Sequence, residues 1–312
     1  MIIVRSLPEI KHQINSVVTM GTFDGVHLGH RTVIREVIAR ADARGGRSVV
    51  VTFDPHPREI VGRGSVKLLA SVEERLELLE QLGIHETLVL KFTYEFSRQT
   101  SQEFYERYVV KGIGVKEVIV GYDHMFGRDR EAGVRELQQM GNVFGFSAVA
   151  VQPVAMNGEV VNSSKIREFL LRGDVERAAQ FLSCPYSLEG AVVHGDGRGA
   201  LLGFPTANIK PKFENKLIPA EGVYVIRVGI DNQQLYGMLN IGVRPTFHTE
   251  LEKILEVHIF DFSETIYGKS LRIHFLKRLR SEKKFSSKEE LIMQLESDRN
   301  ECMKLLTTLQ PS

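Results

Sequence analysis

The sequence has too few cysteines for a disulfide framework: two in 312 residues, Cys184 and Cys302. They lie far apart and outside any Cys-x-x-Cys or Cys-His cluster, which excludes a disulfide-stapled fold and a cysteine-ligated zinc site. An excess of charge of one sign is also lacking. Forty Lys and Arg against 39 Asp and Glu leave a formal net charge of +1, so no broad attraction to nucleic acid or an anionic membrane is expected. No apolar run reaches the ~20 residues that a membrane span requires. The opening Met1-Ile2-Ile3-Val4-Arg5-Ser6 lacks the basic region, long apolar core and small-residue cleavage site of a secretory signal. A cytoplasmic protein with neither nucleic-acid nor membrane partners is the economical expectation.

A hydrophobic content of 43% with 25% charged residues is ordinary for a globular chain, and its length makes two domains the prior. The densest stretch is residues 20–30, Met-Gly-Thr-Phe-Asp-Gly-Val-His-Leu-Gly-His. It follows an apolar run at 16–20 and precedes an amphipathic segment at 31–44. There Val33, Ile34, Val37, Ile38 and Ala41 share one helix face. The grammar is strand, Gly-rich turn, helix. A helix N-terminus offers unpaired N–H groups and a partial positive charge, which suit phosphate. Gly21, Gly25 and Gly29 let backbone approach a ligand closely, and His27 and His30, three apart, are placed to face one anion. Alone, such a pair is also compatible with a plain surface position or with zinc, but zinc needs a third ligand.

Further along, 48–53 reads as a buried parallel strand, and Asp54-Pro55-His56-Pro57 as a stiff turn of the kind that carries binding residues. Capping boxes at Ser71–Glu74 and Thr100–Glu103 open helices, the first over 73–82. Strands are predicted at 87–92, 117–121 and 146–151, and a helix at 134–141. The five strand–helix alternations predict a doubly wound parallel sheet, with ligands at the C-terminal ends of its strands. At 161–167, Val-Asn-Ser-Ser-Lys-Ile-Arg opens another helix, with Ser163 or Ser164 as the natural cap and Arg167 one turn on. Capping by itself explains that pattern; beside the histidine turn it reads as a second anion-binding helix start.

Near Cys184-Pro185 the helical periodicity stops. Short β-rich runs follow at 187–194, 222–230, 234–241, 254–262 and 271–277, which predict an antiparallel barrel, and 286–309 closes the chain as an amphipathic helix. The boundary divides the chain into domains 1–183 and 184–312. Within the second, 195–208 is rich in glycine. Its loop resembles a phosphate-facing turn as well as an ordinary barrel turn, and Thr206 and Asn208 offer neutral oxygens for a hard cation such as Mg²⁺. Glu256 stands in a mostly apolar strand, either as solvent-facing alternation or, if buried, as a candidate general base. Gly268-Lys269-Ser270 is not a P-loop, because Ser263 holds the required first glycine position.

Together these stretches resemble the bacterial bifunctional riboflavin kinase/FMN adenylyltransferases over nearly the whole chain. The turn at 21–30 is similar to the family's His-x-Gly-His nucleotidyltransferase signature. Residues 161–167 stand where the family has Ile-Ser-Ser-Thr-x-Ile-Arg, with Asn162 in place of its first Ser and Ser164 in place of its Thr. Gly203-Phe204-Pro205-Thr206-Ala207-Asn208 matches Gly-Phe-Pro-Thr-Ala-Asn, and 240–247 is family-like. His124 and Met125 occupy a position where an aromatic is more usual.

The resemblance implies a Rossmann-like nucleotidyltransferase domain followed by a riboflavin kinase barrel. In the barrel, ATP phosphorylates riboflavin to FMN, with Glu256 as general base and Thr206 and Asn208 on Mg²⁺. In the first domain a second ATP adenylylates FMN to FAD, with His27 and His30 steadying the triphosphate. Substrate or nucleotide contacts are implied for Gly21, Phe23, Asp24, Gly25, Gly29, His56, Asp123, Ser163, Ser164 and Arg167. In the kinase they are implied for Gly195, Arg198, Gly199, Gly203, Pro205, Asn240 and Arg244. A weak homo-oligomer is compatible with the sequence, which does not fix the oligomeric state. One alternative keeps the first domain's chemistry with another acceptor, since His-x-Gly-His turns also occur in other adenylyltransferases and in class I aminoacyl-tRNA synthetases; near-neutral charge and the lack of a Lys-Met-Ser-Lys-Ser-like loop oppose a tRNA substrate. A flavin-binding barrel without turnover is the remaining alternative.

Overall fold

Apolar runs that alternate with amphipathic helices leave the first part of the chain little choice but a covered parallel sheet. A computed structural model shows this arrangement; it describes residues 1–62, 66–122, 133–194, 203–245 and 251–309. The chain divides into two compact units, Met1–Ser163 and Ser164–Ser312.

Six parallel strands form the first unit's sheet: β1 (Ile2–Val4), β2 (Ser16–Met20), β3 (Ser48–Asp54), β4 (Glu86–Lys91), β5 (Val115–Gly121) and β6 (Ser147–Val151). Their order is β1-β4-β3-β2-β5-β6, so the chain winds outward from β2 in one direction and from β5 in the other. Ligands of such sheets bind at this switch point, beyond the strands' C-terminal ends. Helices α1 (Leu28–Asp42), α2 (Pro57–Val61), α3 (Val72–Gln81), α4 (Tyr94–Ser97), α5 (Ser101–Phe104) and α6 (Val134–Phe144) connect the strands, with a π-helical stretch over Tyr105–Ile113.

Alternate residues of one strand serve opposite faces of the sheet. Val17, Val50 and Ile119 pack with Val33, Ile34, Val37 and Ala41 of α1. Val18, Val49, Val51 and Val118 pack on the other face with Phe104, Tyr105, Ile113 and Leu137. The two expected capping boxes form at Ser71–Glu74 and Thr100–Glu103. The strand β1, absent from the sequence reading, is a three-residue edge element with Ile2 63% exposed, too short to show a period.

A small hairpin of β7 (Ala155–Met156) and β8 (Glu159–Val160) precedes α7 (Ser163–Arg172) and α8 (Val175–Leu182). The second unit then closes a six-stranded antiparallel barrel: β9 (Ser187–Val193), β10 (Ala207–Pro211), β11 (Gly222–Ile230), β12 (Gln233–Pro245), β13 (Leu251–Ile259) and β14 (Ser270–Arg280). The unforeseen strand β10 is short and follows the Gly-rich loop, so composition masks it. The final helix α9 (Lys288–Leu309) lays Cys302 and Leu306 against Val223, Val225, Met238 and Phe260 on the barrel's outer face. Arg280 holds that helix through a bifurcated pair with the buried Asp298, Nη2 to Oδ2 at 2.7 Å.

Candidate active sites

The histidine turn sits at the switch point, between β2 and α1. Its backbone is left-handed at Phe23 (φ 48°), Gly25 (81°) and Val26 (42°). Glycine takes such a conformation freely, whereas a β-branched valine is strained there by ~1–3 kcal/mol. The strained path delivers His27 to the N-cap of α1, where its Nδ1 accepts the N–H of His30 at 3.3 Å. Because Nδ1 accepts, the neutral His27 ring carries its proton on Nε2 and is a donor there. The His27 and His30 rings stack with centroids 3.6 Å apart, and Phe23 meets His30 edge-on at 5.2 Å. Burial, then His27 and Arg75, hold the His30 imidazolium well below its ordinary range, so His30 is neutral at physiological pH. Its Nδ1 is buried and has no hydrogen-bond partner among the described residues. Gly29 permits this stack: a Cβ there would lie 3.2 Å from His27 Cε1. A Cβ at Gly21 would similarly crowd the Phe23 ring, at 3.3 Å.

Asp24, implied as a substrate contact, is buried and accepts the N–H groups of Leu69 and Ala70 through Oδ1 at 2.9 and 3.0 Å. These bonds tie the turn to the segment before α3. Ser163 is the first residue of α7 and not its cap; its hydroxyl donates to the Asp24 carbonyl at 3.0 Å. Ser164 and Arg167 follow on the same helix, in the second unit. His56 caps α2, its Nδ1 accepting from Arg58 N–H at 3.1 Å while Glu59 accepts from its own N–H. Asp123, His124 and Met125 lie outside the described residues.

Sequence reasoning missed Arg75. It is 3% exposed and donates to Thr22 O, Thr52 Oγ1 and Phe53 O at 2.6, 2.9 and 3.1 Å. A signal was present: Val72, Leu76 and Leu79 form the buried stripe of α3, and position 75 falls within it, where a charge is anomalous.

In the second unit, barrel register aligns three polar side chains. Leu255, Val257 and Ile259 are buried and turn inward, so the half-buried Glu256 between them turns outward. Glu256 is paired with Asn208 of β10 on one side and with Asn240 of β12 on the other. Directly opposed residues share a face, with Cβ atoms ~4.5–5.5 Å apart. Thr206 leads into β10 two residues before Asn208. Its approach is fixed by Phe204, which packs under α9, and by Pro205, whose carbonyl lies 2.8 Å from His258 Nδ1. Lys253 donates to Ile218 O and Pro219 O, and burial holds its ammonium below the usual range. Partial burial, with Glu221 and Glu256 nearby, raises the Glu282 carboxyl above its usual range.

Gly203 is exposed beside Phe204. Gly195, Arg198 and Gly199 lie outside the described residues, as does the Arg244 side chain. Among the described residues no three His, Cys, Asp or Glu side chains gather as a metal-binding group, and no helix is long and apolar enough to cross a membrane.

Two family profiles divide the chain between them. FAD synthetase matches residues 9–165 and riboflavin kinase matches residues 182–306. The bifunctional riboflavin kinase/FMN adenylyltransferase of Listeria monocytogenes is 36% identical over 299 residues, covering 95% of this chain and 94% of that protein. Its namesake from Bacillus subtilis is 33% identical, covering 96% and 95%. A solved structure from Streptococcus pneumoniae, described as a macrolide-efflux protein, superposes with a TM-score of 0.88 at 33% identity and covers 96% of this chain and 97% of that one. With both domain profiles matched in order and full-length relatives above 30% identity, the chain belongs to the bifunctional riboflavin kinase/FMN adenylyltransferase family.

Proposed function

We propose that the chain converts riboflavin to FAD in two ATP-dependent steps, the first on the outer face of the barrel around Glu256 and the second at the histidine turn. The functional division is placed at 183/184, so α7 and α8 count with the adenylyltransferase sequence although they group with the second unit.

In the first step the terminal ribityl hydroxyl attacks the γ-phosphorus of ATP, and the bond to the β,γ-bridging oxygen breaks to release ADP. A hydroxyl attacks well only as its proton leaves, and Glu256 accepts that proton. Asn208 and Thr206 are hard neutral oxygen donors beside this carboxylate, a set that fits Mg²⁺ and its preference for a few protein oxygens plus phosphates. When bound there, Mg²⁺ would neutralise charge on the transferring phosphates. Gly195, Arg198, Gly199, Gly203 and Pro205 are assigned to the nucleotide loop, and Asn240 and Arg244 to substrate contacts.

In the second step an FMN phosphate oxygen attacks the α-phosphorus of ATP, and pyrophosphate departs. The nucleophile is already anionic, so alignment and charge stabilisation dominate. The observation that carries this reading is the stacked His27–His30 pair at the start of α1. It joins a helix N-terminus to a fixed Nε2 donor on His27, with a neutral His30 behind it. From the resemblance, Ser163, Ser164 and Arg167 are assigned to phosphate contacts, and His56 and Asp123 to the nucleotide and flavin phosphate. The chain acts in the cytoplasm on small molecules.

Chromatography of products from riboflavin, ATP and Mg²⁺ tests the reading. Wild type is expected to make FAD, His27→Ala to accumulate FMN, and Glu256→Gln to leave riboflavin unreacted. Flavin bound but never turned over would favour a binding module, and wild type stopping at FMN would sink the second assignment.

A further inference from the structure

Arg75 is a buried cation within the otherwise apolar stripe of α3. Among the described residues, its guanidinium is hydrogen-bonded only to neutral oxygens: Thr22 O, Thr52 Oγ1, Phe53 O and, at 3.4 Å, Ser71 O. The carboxylates of Asp24, Asp54, Glu73 and Glu59 act on it at longer range, while burial opposes its charge. Burying an ion without a directly paired counter-ion is costly. The cation is thus balanced only at longer range and has no directly bonded carboxylate among the described residues, and it lies behind the histidine turn, where an anionic substrate would feel it in a low-dielectric setting.

The bonds also have a geometric consequence. Thr22 belongs to the left-handed turn, Thr52 and Phe53 end β3, and Ser71 caps α3. One planar fork thus joins the turn to both neighbours, something a lysine ammonium cannot do with the same fixed geometry. Among the described residues, two charged or titratable groups act on His30: His27 from its own turn, and Arg75 from α3.

We propose that Arg75 is a positioning residue for adenylyl transfer, which locks the strained histidine turn to the ends of β3 and α3 and sets a permanent buried cation behind the His27–His30 pair. The inference rests on assigning FAD formation to this turn. Two consequences follow. Loss of the fork displaces His27 relative to the triphosphate and lowers turnover more than ATP affinity. Loss of the charge removes one of the influences that keep His30 neutral, so its titration moves up while burial and His27 still hold it below the ordinary histidine range.

Arg75→Lys and Arg75→Met are compared with wild type in the full chain. The readouts are FMN-to-FAD kinetics, riboflavin-to-FMN kinetics and an NMR pH titration of the His30 ring. In Arg75→Lys the kcat for FAD formation should fall on the order of a hundredfold, with the KM for ATP changed less than about threefold and the His30 titration kept low. In Arg75→Met the His30 titration should rise as well, while FMN formation stays at the wild-type rate in both variants. A wild-type kcat for FAD in Arg75→Lys would overturn the positioning role, and an unmoved His30 titration in a folded Arg75→Met would overturn the electrostatic one. If Arg75→Met does not fold, Arg75→Gln replaces it in the His30 titration, and Arg75→Lys still decides the positioning role. If even wild type makes no FAD, the assignment of the turn has failed, and the His30 titration still reports separately on Arg75.

Discussion

Gly29→Ala separates the chemistry of the histidine turn from its stability. Gly29 is the second residue of α1, where alanine is favoured over glycine by up to ~1 kcal/mol in helix propensity. Its new Cβ would stand 3.2 Å from His27 Cε1 and 3.3 Å from Nδ1, the atom that caps the helix. To relieve that contact the ring must give by a few tenths of an ångström. The 3.3 Å cap bond then weakens, at a cost of about 1 kcal/mol. Gain and loss nearly cancel, so the melting temperature should move by only a few degrees. Catalysis has no such compensation. A displacement of ~1 Å in a positioned group can cost on the order of a hundredfold, so a smaller shift should lower kcat for FAD formation by about tenfold. The assay is chromatographic FAD production from FMN and ATP, run beside FMN production from riboflavin as an internal control. FAD formation within about twofold of wild type, in a protein that melts normally, would refute the claim that Gly29 is small to seat His27.

Other outcomes follow from the second unit. Asp298→Ala leaves the Arg280 guanidinium partly buried without its partner, and should destabilise the chain by about 3 kcal/mol in urea denaturation; a loss below ~0.5 kcal/mol would mean α9 docks through its apolar face alone. His274 titrates at about 4, held there by burial with Arg227 and Arg272 beside it. A depressed histidine favours the folded state fully above its ordinary value of 6.5 and progressively less as pH falls from there toward about 4. That shift amounts to at most about 3 kcal/mol, and to roughly half as much after discounting its partial exposure. His274→Gln should flatten the urea midpoint across this window, and a slope unchanged by the substitution would contradict the assignment. Thr206→Val should raise the Mg²⁺ concentration that half-saturates FMN formation by about tenfold and leave FAD formation from FMN unaltered; an unchanged requirement would remove Thr206 from the proposed metal set.

Periodicity and capping carried most of the fold. The strand 16–20 and the strand 222–230 have the same bounds in sequence and structure, because apolar runs that end in glycine or turn residues leave little freedom. Where the signal was short or compositionally masked, as at β1 and β10, it failed. The sites were legible only as residue types. Reading His27 and His30 as candidates for an anion site could not show that one ring caps the helix and stacks on the other, since that depends on the left-handed path through Phe23 and Val26. Glu256 stood out in an apolar strand, yet only barrel register, a long-range property, places it between Asn208 and Asn240. Arg75 went unnoticed because α3 reads as a routine amphipathic helix unless its buried stripe is checked position by position.

The central claim is that one chain uses two ATP molecules differently, attacked at the γ-phosphorus in one step and at the α-phosphorus in the other. Isotopic labelling tests it directly: riboflavin and Mg²⁺ are incubated with ATP labelled at either position, and the FAD is isolated. Each label should enter FAD once, with one ADP and one pyrophosphate formed per FAD. Unlabelled FAD from γ-labelled ATP, or a product that never acquires the α-label, would contradict the two-site account.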